Sequence, residues 1–229
     1  PKIIPFFPFK SNNKLIYRPL PNLLINNYLH LYYISNKKEI MNPFKKFNIW
    51  FKLAKKKHPF DHTAFALGSS SNNEPRVRMV LLKLILDDGF VFFTNLNSRK
   101  GKDFLSNNNL SMCFYWESLN KQIRIIGKGS IVDKSISDKY FASRPRGSQI
   151  GAWASNQSST IPSEDYLRKR EKFFEKKFDN YNVPRPDHWA GIKIKPKEFE
   201  FWQQGEFRLH KREIFKFKKK KWEKKILSP

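Results

Sequence analysis

The chain contains few of the residues that hold a fold together covalently or through a metal ion. Its 229 residues include one cysteine, nine glycines and five histidines. A single cysteine, Cys113, excludes an internal disulfide and a multi-cysteine metal site. It lies in the apolar run "LSMCFYWESL", and we expect it to pack as a small hydrophobic residue. His58 and His62 are four residues apart, but no further histidine or cysteine lies near them in the sequence, so we expect no metal site.

Long apolar runs are also missing. No stretch approaches the roughly 20 apolar residues that span a bilayer. The N-terminal stretch "PKIIPFFPFKSNNKLIYRPLPNLL" is interrupted by Pro, Lys and Asn, which argues against the hydrophobic segment of a signal peptide. We therefore expect no membrane partner and a cytoplasmic location.

Acidic residues are scarce. The 20 Asp and Glu stand against 45 Lys and Arg, which gives a formal net charge of +25. One explanation is a nucleic-acid-binding module. The other is compositional bias, because the chain is rich in Lys, Asn, Ile and Phe, whose codons are AT-rich, and its lysines are widely spread. We favour bias and expect no specific nucleic-acid partner.

The residues that are abundant supply a core. The chain is 39% hydrophobic with 22 Phe, enough for one sizeable domain with a tail. Residues 1–41, with prolines and asparagines dispersed among apolar residues, are expected to form an irregular, mobile arm. Asn42 and Pro43 suit the cap and first turn of a helix that opens the domain at 42–229. The apolar residues on one face of that helix are Phe44, Phe47, Phe51 and Ala54.

Short strands follow that helix in the predicted order. They are "HTAFALGSS", "RVRMVLLKLIL", "FVFFTNL", "LSMCFYWES", "KQIRIIGKGSIVD", "WAGIKIKP", "EFEFWQQ", "FRLHKREIFKF" and "KWEKKIL". Helices are predicted at "NSRKGKDFLSNN", at "SISDKYFAS" up to Pro145, and at "SEDYLRKREKFFEKKF", with "RGSQIGAWASNQSSTIP" as a loop. The pattern is not βαβ alternation and indicates a mainly β, α+β fold: a barrel of short strands with peripheral helices.

Two basic residues interrupt the apolar strand "RVRMVLLK". Burying an unpaired charge is costly, so Arg78 and Lys83 should each meet an anion or the surface. Their spacing of five places them on opposite faces of a regular strand, unless a bulge intervenes.

Polar and basic side chains also cluster where a strand turns into a helix, in "FFTNLNSRKGKDF". Amides at a helix N-terminus, together with Thr94, Ser98, Arg99 and Lys100, form a typical anion site, and phosphate is the natural ligand. Ordinary capping by Asn97 or Ser98 explains this stretch about as well.

A second group of donors occurs in "KYFASRPRGSQIGAWASNQSS". Tyr140 and Arg144 are four residues apart and share a helix face. The residues Arg146, Ser148, Gln157 and Ser158 follow in the predicted polar loop. A second phosphate would explain this excess of donors.

The stretch "FEFWQQGEFRLHKR" spaces Arg208, His210 and Arg212 at intervals of two. In an extended strand all three side chains would project from one face. They then meet an acidic or electron-rich ligand, or they form a solvated face while Phe207 and Leu209 turn to the core.

Taken in order, "RMVLLK", "FFTNLNSRK", "SRPRGSQIGAWASNQSS", "FEFWQQGEFRLHKR" and the terminal "LSP" resemble the pyridoxine (pyridoxamine) 5′-phosphate oxidase family. The similarity runs from about Asn42 to Pro229. It implies an FMN-binding split β-barrel that works as a homodimer, with the flavin in a cleft at the subunit interface.

The resemblance also assigns residues. It implies that FMN is bound by Arg78, Phe93, Thr94, Ser98, Arg99, Lys100, Gln122, Gln157, Ser158, Trp202 and Arg212. It implies that the substrate phosphate is held by Lys83, Tyr140, Arg144 and Ser148. Arg208 and His210 would lie over the pyridine ring of the substrate as the catalytic pair. The chain departs from the family pattern at Lys211 and Gln204, and at His30 in the arm.

The implied reaction oxidises pyridoxine 5′-phosphate and pyridoxamine 5′-phosphate to pyridoxal 5′-phosphate. Hydride passes from substrate C4′ to flavin N5, and O2 reoxidises the flavin and yields hydrogen peroxide. The alternative within the fold is a split-barrel flavoprotein reductase with another substrate. The substrate-phosphate residues discriminate, because a protein that only binds flavin has no need of them.

Overall fold

The computed structural model describes residues 6–11, 14–19 and 42–229, in two units that divide at Asn42. In the first unit, β1 (Phe6–Ser11) pairs antiparallel with β2 (Lys14–Pro19). Both strands lie within residues 1–41, which the sequence predicts to form an irregular arm. The rest of the predicted arm, including His30, lies outside the described residues.

Five helices occur in the second unit. They are α1 (Pro43–Lys57), α2 (Arg99–Ser106), α3 (Lys134–Ala142), α4 (Arg146–Ala154) and α5 (Glu164–Lys177). The predicted start of α1 is confirmed: the Asn42 side chain accepts a hydrogen bond from the Phe44 amide at 3.0 Å, and Pro43 lies in the first turn. Within the described ranges, no helix is long and apolar enough to cross a membrane.

The strands of the second unit form one nine-stranded, antiparallel sheet. They are β3 (Ala64–Ser71), β4 (Glu74–Leu81), β5 (Leu84–Leu86), β6 (Gly89–Asn95), β7 (Asn109–Trp116), β8 (Lys121–Ile131), β9 (Trp189–Gln203), β10 (Lys211–Lys218) and β11 (Lys221–Leu227). The main path is β11-β10-β9-β8-β7-β3-β4. The sheet does not close, so the predicted split barrel is confirmed.

The long strand β9 organises this sheet. One of its edges pairs with β8 along almost its whole length. The other edge pairs with β6 near its start, where Phe93 faces Gly191, and with β10 near its end, where Arg212 faces Trp202. The two ends of β9 therefore belong to different parts of the molecule.

Phenylalanine fills the core between the sheet and α1. Phe47 of α1 is fully buried, with its ring 4.5 Å from Phe90 and 5.5 Å from Phe114. Ala54 on the same helix face is also fully buried, and Phe44 and Phe51 pack against this cluster, as predicted. Burying each such side chain contributes about 1.5–3 kcal/mol, so α1 is held by its apolar face.

The predicted loop after Pro145 is wrong in its first half, since residues 146–154 form α4, whereas residues 155–162 contain neither helix nor strand, as predicted. The Gln149 side chain donates to the carbonyl oxygens of Phe141 and Ala142, and Ile150 is buried, so contacts with α3 hold the helix in place. Proline also favours the start of a helix, and Pro145 therefore marks both the end of α3 and the beginning of α4.

The predicted strand "FRLHKREIFKF" is also wrong in its first half. Residues 206–208 form a 3₁₀ turn, with Phe207 and Arg208 at φ of 51° and 64°. A Cβ at Gly205 would collide with the carbonyl of Leu209, so the tight turn requires glycine there. Phe207 and Leu209 are 91% and 70% exposed, so neither turns to the core. Arg208, His210 and Arg212 therefore do not form an alternating strand face.

Candidate functional site

A cleft of about 650 Å³ lies between β4, β6, α3 and α4. This volume is in the range of small-molecule sites. Nine predicted site residues line it: Arg78, Lys83, Phe93, Thr94, Lys100, Tyr140, Arg144, Ser148 and Gln157. Residues predicted for the flavin and for the substrate phosphate thus meet in one space.

A second cleft of about 470 Å³ shares Arg78, Lys100 and Gln157 with the first. It adds Arg76, Arg99 and Ser158. No carboxylate is found among the residues that line either cleft in the described part of the chain. The two adjacent clefts are therefore strongly cationic and suit anionic ligands.

The start of α2 shows why Lys100 points into this space. Ser98 is the N-cap: its hydroxyl accepts from the Gly101 amide at 3.3 Å and donates to the Asn95 carbonyl at 2.6 Å. Ser98 is fully buried, so its hydroxyl is engaged in the capping that the sequence left open. Lys100 Nζ donates to Ser98 Oγ at 3.3 Å and to Gln157 Oε1 at 2.9 Å. Burial, and then the charge of Arg78, lower the pKa of Lys100.

Arg78 and Lys83 line the same cleft although they are five residues apart. Strand β4 ends at Leu81 and β5 begins at Leu84, so Lys83 lies in a break between strands. Its backbone amide donates to the Val91 carbonyl at 2.9 Å. The expectation of opposite faces on a regular strand was wrong, and the cause is a break between two strands rather than the bulge that the sequence analysis allowed for.

Tyr140 lies in a stack of aromatic rings at the first cleft. Its ring is 4.1 Å from that of Phe93 with 8° between the planes, and Phe93 in turn stacks on Trp189 at 5.1 Å. Burial raises the pKa of the Tyr140 hydroxyl, and the charge of Arg144 opposes this rise. Tyr140 is therefore a neutral hydrogen-bond donor near pH 7.

Arg144 lacks the partner that its charge requires. Its guanidinium lies over the rings of Trp189 at 4.9 Å and Phe141 at 5.4 Å. Its Nη1 is buried without a hydrogen-bond partner among the described residues. Burial lowers the pKa of Arg144, while Tyr140 opposes this shift. Buried polar groups are normally paired, so this orphan donor points to an anionic ligand.

The N-terminus of α4 adds to this anion site and was missed by sequence reasoning. No side chain caps α4 at Pro145, and Ser148 lies in its first turn. A helix N-terminus favours an anion through its free amides and its dipole. Arg146, by contrast, donates to the carbonyls of Tyr181 and Phe178, which gives it a structural role.

The remaining predicted residues form a second group. Gln122, Trp202 and Arg212 face one another in register across β8, β9 and β10. His210 lies beside them, with its ring 4.8 Å from Trp202 and its Nδ1 accepting from the Gly205 amide at 3.3 Å. Arg212 donates to Glu200 and to the Ser228 carbonyl, both at 2.8 Å.

This second group does not join the first within one chain. No residue of this second group lines either cleft, and Arg208 does not line them either. Phe93 faces Gly191 at one end of β9, and Trp202 lies at the other end. A fully extended strand from Gly191 to Trp202 spans roughly 35 Å at about 3.3 Å per residue.

Comparison with known proteins identifies the family. A profile described as pyridoxamine 5′-phosphate oxidase matches residues 54–203. A second, described as pyridoxine 5′-phosphate oxidase C-terminal dimerisation region, matches residues 189–229. The chain belongs to the pyridoxine/pyridoxamine 5′-phosphate oxidase family. The resemblance seen in the sequence motifs is confirmed.

Relatives in this family extend over most of the chain. A pyridoxine/pyridoxamine 5′-phosphate oxidase from Zymomonas mobilis is 44% identical over 189 residues, covering 82% of this chain and 98% of its own length. One from Pelagibacter ubique is 45% identical over 192 residues, covering 82% and 92%.

Solved structures support the fold. PhzG from Burkholderia lata, in complex with tetrahydrophenazine-1-carboxylic acid, superposes with a TM-score of 0.78 at 25% identity, covering 84% of this chain and 95% of its own. A pyridoxamine 5′-phosphate oxidase-related, FMN-binding protein from Nostoc punctiforme has a TM-score of 0.66 at 12% identity, covering 82% and 99%. The second likeness bears on the fold alone.

Proposed function

We propose that this protein oxidises pyridoxine 5′-phosphate and pyridoxamine 5′-phosphate to pyridoxal 5′-phosphate. FMN is the cofactor, O2 is the electron acceptor and hydrogen peroxide is the second product. The main support for the proposal is the pair of adjacent cationic clefts in a chain of this family. It offers two sets of phosphate ligands and no lining carboxylate.

The first set of ligands suits the FMN phosphate. Arg78, Arg99 and Lys100 line the second cleft, together with Gln157 and Ser158. Ser98 holds Lys100 in place through the helix cap. Phe93 and Thr94 line the adjoining first cleft, where they would contact the rest of the cofactor. When bound, FMN supplies the two-electron chemistry by accepting hydride from substrate C4′ and passing electrons to O2.

The second set suits the substrate phosphate. Lys83, Tyr140, Arg144 and Ser148 come from a strand break and two helices, and all line the first cleft. The unpaired Nη1 of Arg144 and the uncapped start of α4 both favour an anion at this point. The phosphate does not react, and the free energy of binding it serves to orient the reacting carbon of the same molecule.

The functional unit is a homodimer in which each site takes residues from both subunits. The supporting observation is that Trp202, His210 and Arg212 lie at the far end of β9 from the clefts. A symmetric pair places the same surfaces against each other twice, so one contact creates two complete sites. In each site the second subunit contributes Gln122, Trp202 and Arg212 to the flavin, and Arg208 and His210 to the pyridine ring.

An absorption spectrum of the purified protein and an oxygen-consumption assay test this function. We expect bound flavin, oxygen uptake with pyridoxine 5′-phosphate, and formation of pyridoxal 5′-phosphate and peroxide. Unphosphorylated pyridoxine should be a poor substrate. If the protein binds flavin but oxidises neither phosphorylated substrate, the alternative of a split-barrel flavoprotein with another substrate replaces this proposal. A protein that binds no flavin would contradict both.

A further inference from the structure

A buried carboxylate lies behind the second cleft. Asp103 of α2 is 3% exposed and does not line either cleft. It accepts hydrogen bonds from Arg76 Nη1 at 2.7 Å, from Ser69 Oγ at 2.8 Å and from Arg78 Nη2 at 3.4 Å. One carboxylate thus holds two arginines that both line the second cleft.

These contacts join the two sides of the cleft. Arg76 and Arg78 project from β4, whereas Arg99 and Lys100 belong to α2, the helix that carries Asp103. Ser69 Oγ also accepts from Arg78 Nη1 at 2.6 Å, so the serine bridges the guanidinium and the carboxylate. Asp103 therefore connects the arginines of β4 to α2 through hydrogen bonds.

Because several cations lie close together here, their side chains need a fixed anionic partner. Like charges repel at short range, and a long side chain without fixed partners samples many rotamers. Arg76 has a second carboxylate, Glu74, but Glu74 is 66% exposed and does not contact Arg78. Ser69, the Leu67 carbonyl and Asp103 are the hydrogen-bond partners of Arg78 among the described residues, and Asp103 is the charged one.

We propose that Asp103 is a positioning residue, which orients Arg76 and Arg78 toward the phosphate of the flavin cofactor. This inference rests on the proposed FMN site. It also assigns to Arg76 a contact with the same phosphate, because Arg76 shares both the carboxylate and the cleft with Arg78.

Asp103→Asn separates positioning from simple charge. If only the local field matters, removing a negative charge behind the cleft strengthens the binding of a phosphate dianion. If Asp103 positions the arginines, the same change weakens binding, because the guanidiniums lose the partner that orients them. The two explanations predict opposite signs.

The experiment titrates the full-length, flavin-stripped protein with FMN and, separately, with riboflavin, following flavin fluorescence. For Asp103→Asn we expect FMN affinity to fall about ten- to a hundredfold, equivalent to losing one charge-assisted contact. Riboflavin affinity should stay unchanged, because riboflavin has no phosphate. The matched control is Glu74→Gln, which removes a carboxylate from Arg76 at the surface and should change FMN affinity by less than about threefold.

Unchanged or tighter FMN binding by Asp103→Asn would overturn the inference. A loss of riboflavin affinity as large as the loss of FMN affinity would also overturn it. If Asp103→Asn does not fold, Ser69→Ala decides. It should weaken FMN binding severalfold without affecting riboflavin, and an unchanged FMN affinity would overturn the inference. A parent protein that does not bind FMN would instead refute the proposed function and the inference together.

Discussion

At the scale of single residues, Arg144 is the most informative. Its guanidinium lies over the rings of Trp189 and Phe141, and one of its nitrogens is buried without a hydrogen-bond partner in the part of the chain that the structure describes. Charged groups are rarely buried without a counterion. Retaining a cation in such a place costs stability. In the proposed function a ligand phosphate offsets that cost when it is bound, so we expect the site to favour phosphorylated molecules.

Replacing Arg144 with alanine should weaken binding of pyridoxine 5′-phosphate by roughly one to two orders of magnitude. FMN affinity and the slow turnover of unphosphorylated pyridoxine should hardly change. Steady-state kinetics with both substrates, alongside a flavin titration, measures this. Arg146→Ala is the matched control, because Arg146 binds backbone carbonyls and its loss should lower stability rather than substrate affinity. Loss of FMN, or equal damage to both substrates, would show that Arg144 has a structural role.

Lys100 predicts a pH dependence of FMN binding. Its pKa is lowered by burial and by Arg78, so in the flavin-free protein it loses its proton at a lower pH than an ordinary lysine. FMN affinity should therefore begin to decline at a lower pH than the value near 10.4 at which ordinary lysines titrate. Lys100→Arg should remove this decline, since arginine stays charged. The same slope in the parent and in Lys100→Arg would contradict this origin.

At the scale of elements, an ion pair joins α1 to the C-terminal hairpin. Lys46 Nζ contacts Glu213 at 2.6 Å, and Lys224 of β11 contacts the same carboxylate at 2.9 Å. Burial alone would raise the pKa of Glu213, but hydrogen bonds from Lys46 and Lys224 and their charges outweigh it and lower that pKa. The pair holds α1 against the hairpin that begins near Arg212.

Glu213→Gln should lower the free energy of unfolding by about 1 kcal/mol at neutral pH. Because the folded-state pKa is depressed, this contribution is complete above the unfolded value near 4.3 and is lost as pH falls through the folded pKa. Urea denaturation at about pH 7 and at successively lower pH should show a gap between parent and variant that narrows as the pH falls below about 4.3. Glu198→Gln, which breaks the more exposed pair with Lys216, should cost less. A gap that persists at low pH would assign the effect to packing.

At the scale of the whole molecule, the proposed assembly follows from the two ends of β9. The clefts adjoin the end paired with β6, and the Trp202–Arg212 group lies at the end paired with β10. A site that needs both groups requires two chains.

Mixed dimers test this arrangement directly. Arg144→Ala weakens substrate binding in the cleft and His210→Ala disables the other group, so each homodimer should be almost inactive when the substrate concentration lies well below the KM of the variants. A dimer with one chain of each kind contains one site with both defects and one intact site, so it should recover about half of the parent activity. Differently tagged, co-expressed chains allow its purification. A mixed dimer as inactive as its parents would contradict a site shared between subunits.

Much of the local structure is predictable from the sequence. Asn42 and Pro43 specify the start of α1, since capping depends on neighbouring residues. Alternating apolar residues identify most strands. The basic residues of both anion sites are recognisable as charges within or beside apolar runs, as at Arg78 and Lys83.

Features that depend on distant pairing became clear only in the tertiary structure. The break at Lys83 arises because β5 pairs with β6 while β4 pairs with β3, and periodicity along one strand does not reveal which partner takes over. Helix α4 is held by contacts of Gln149 with the end of α3. The turn at Phe207 exists because β9 and β10 must reverse direction to pair with each other.

The sequence by itself determined the family, the fold class and the residue types of an anion site. Motifs and periodicity record these, because they depend on residues close together in the chain. Only the tertiary structure decided which of those residues meet, since contacts such as Asp103 with Arg76 and Arg78 join segments from different elements. It also separated Trp202 and Arg212 from the clefts, because the length of an extended strand sets how far apart its two ends lie.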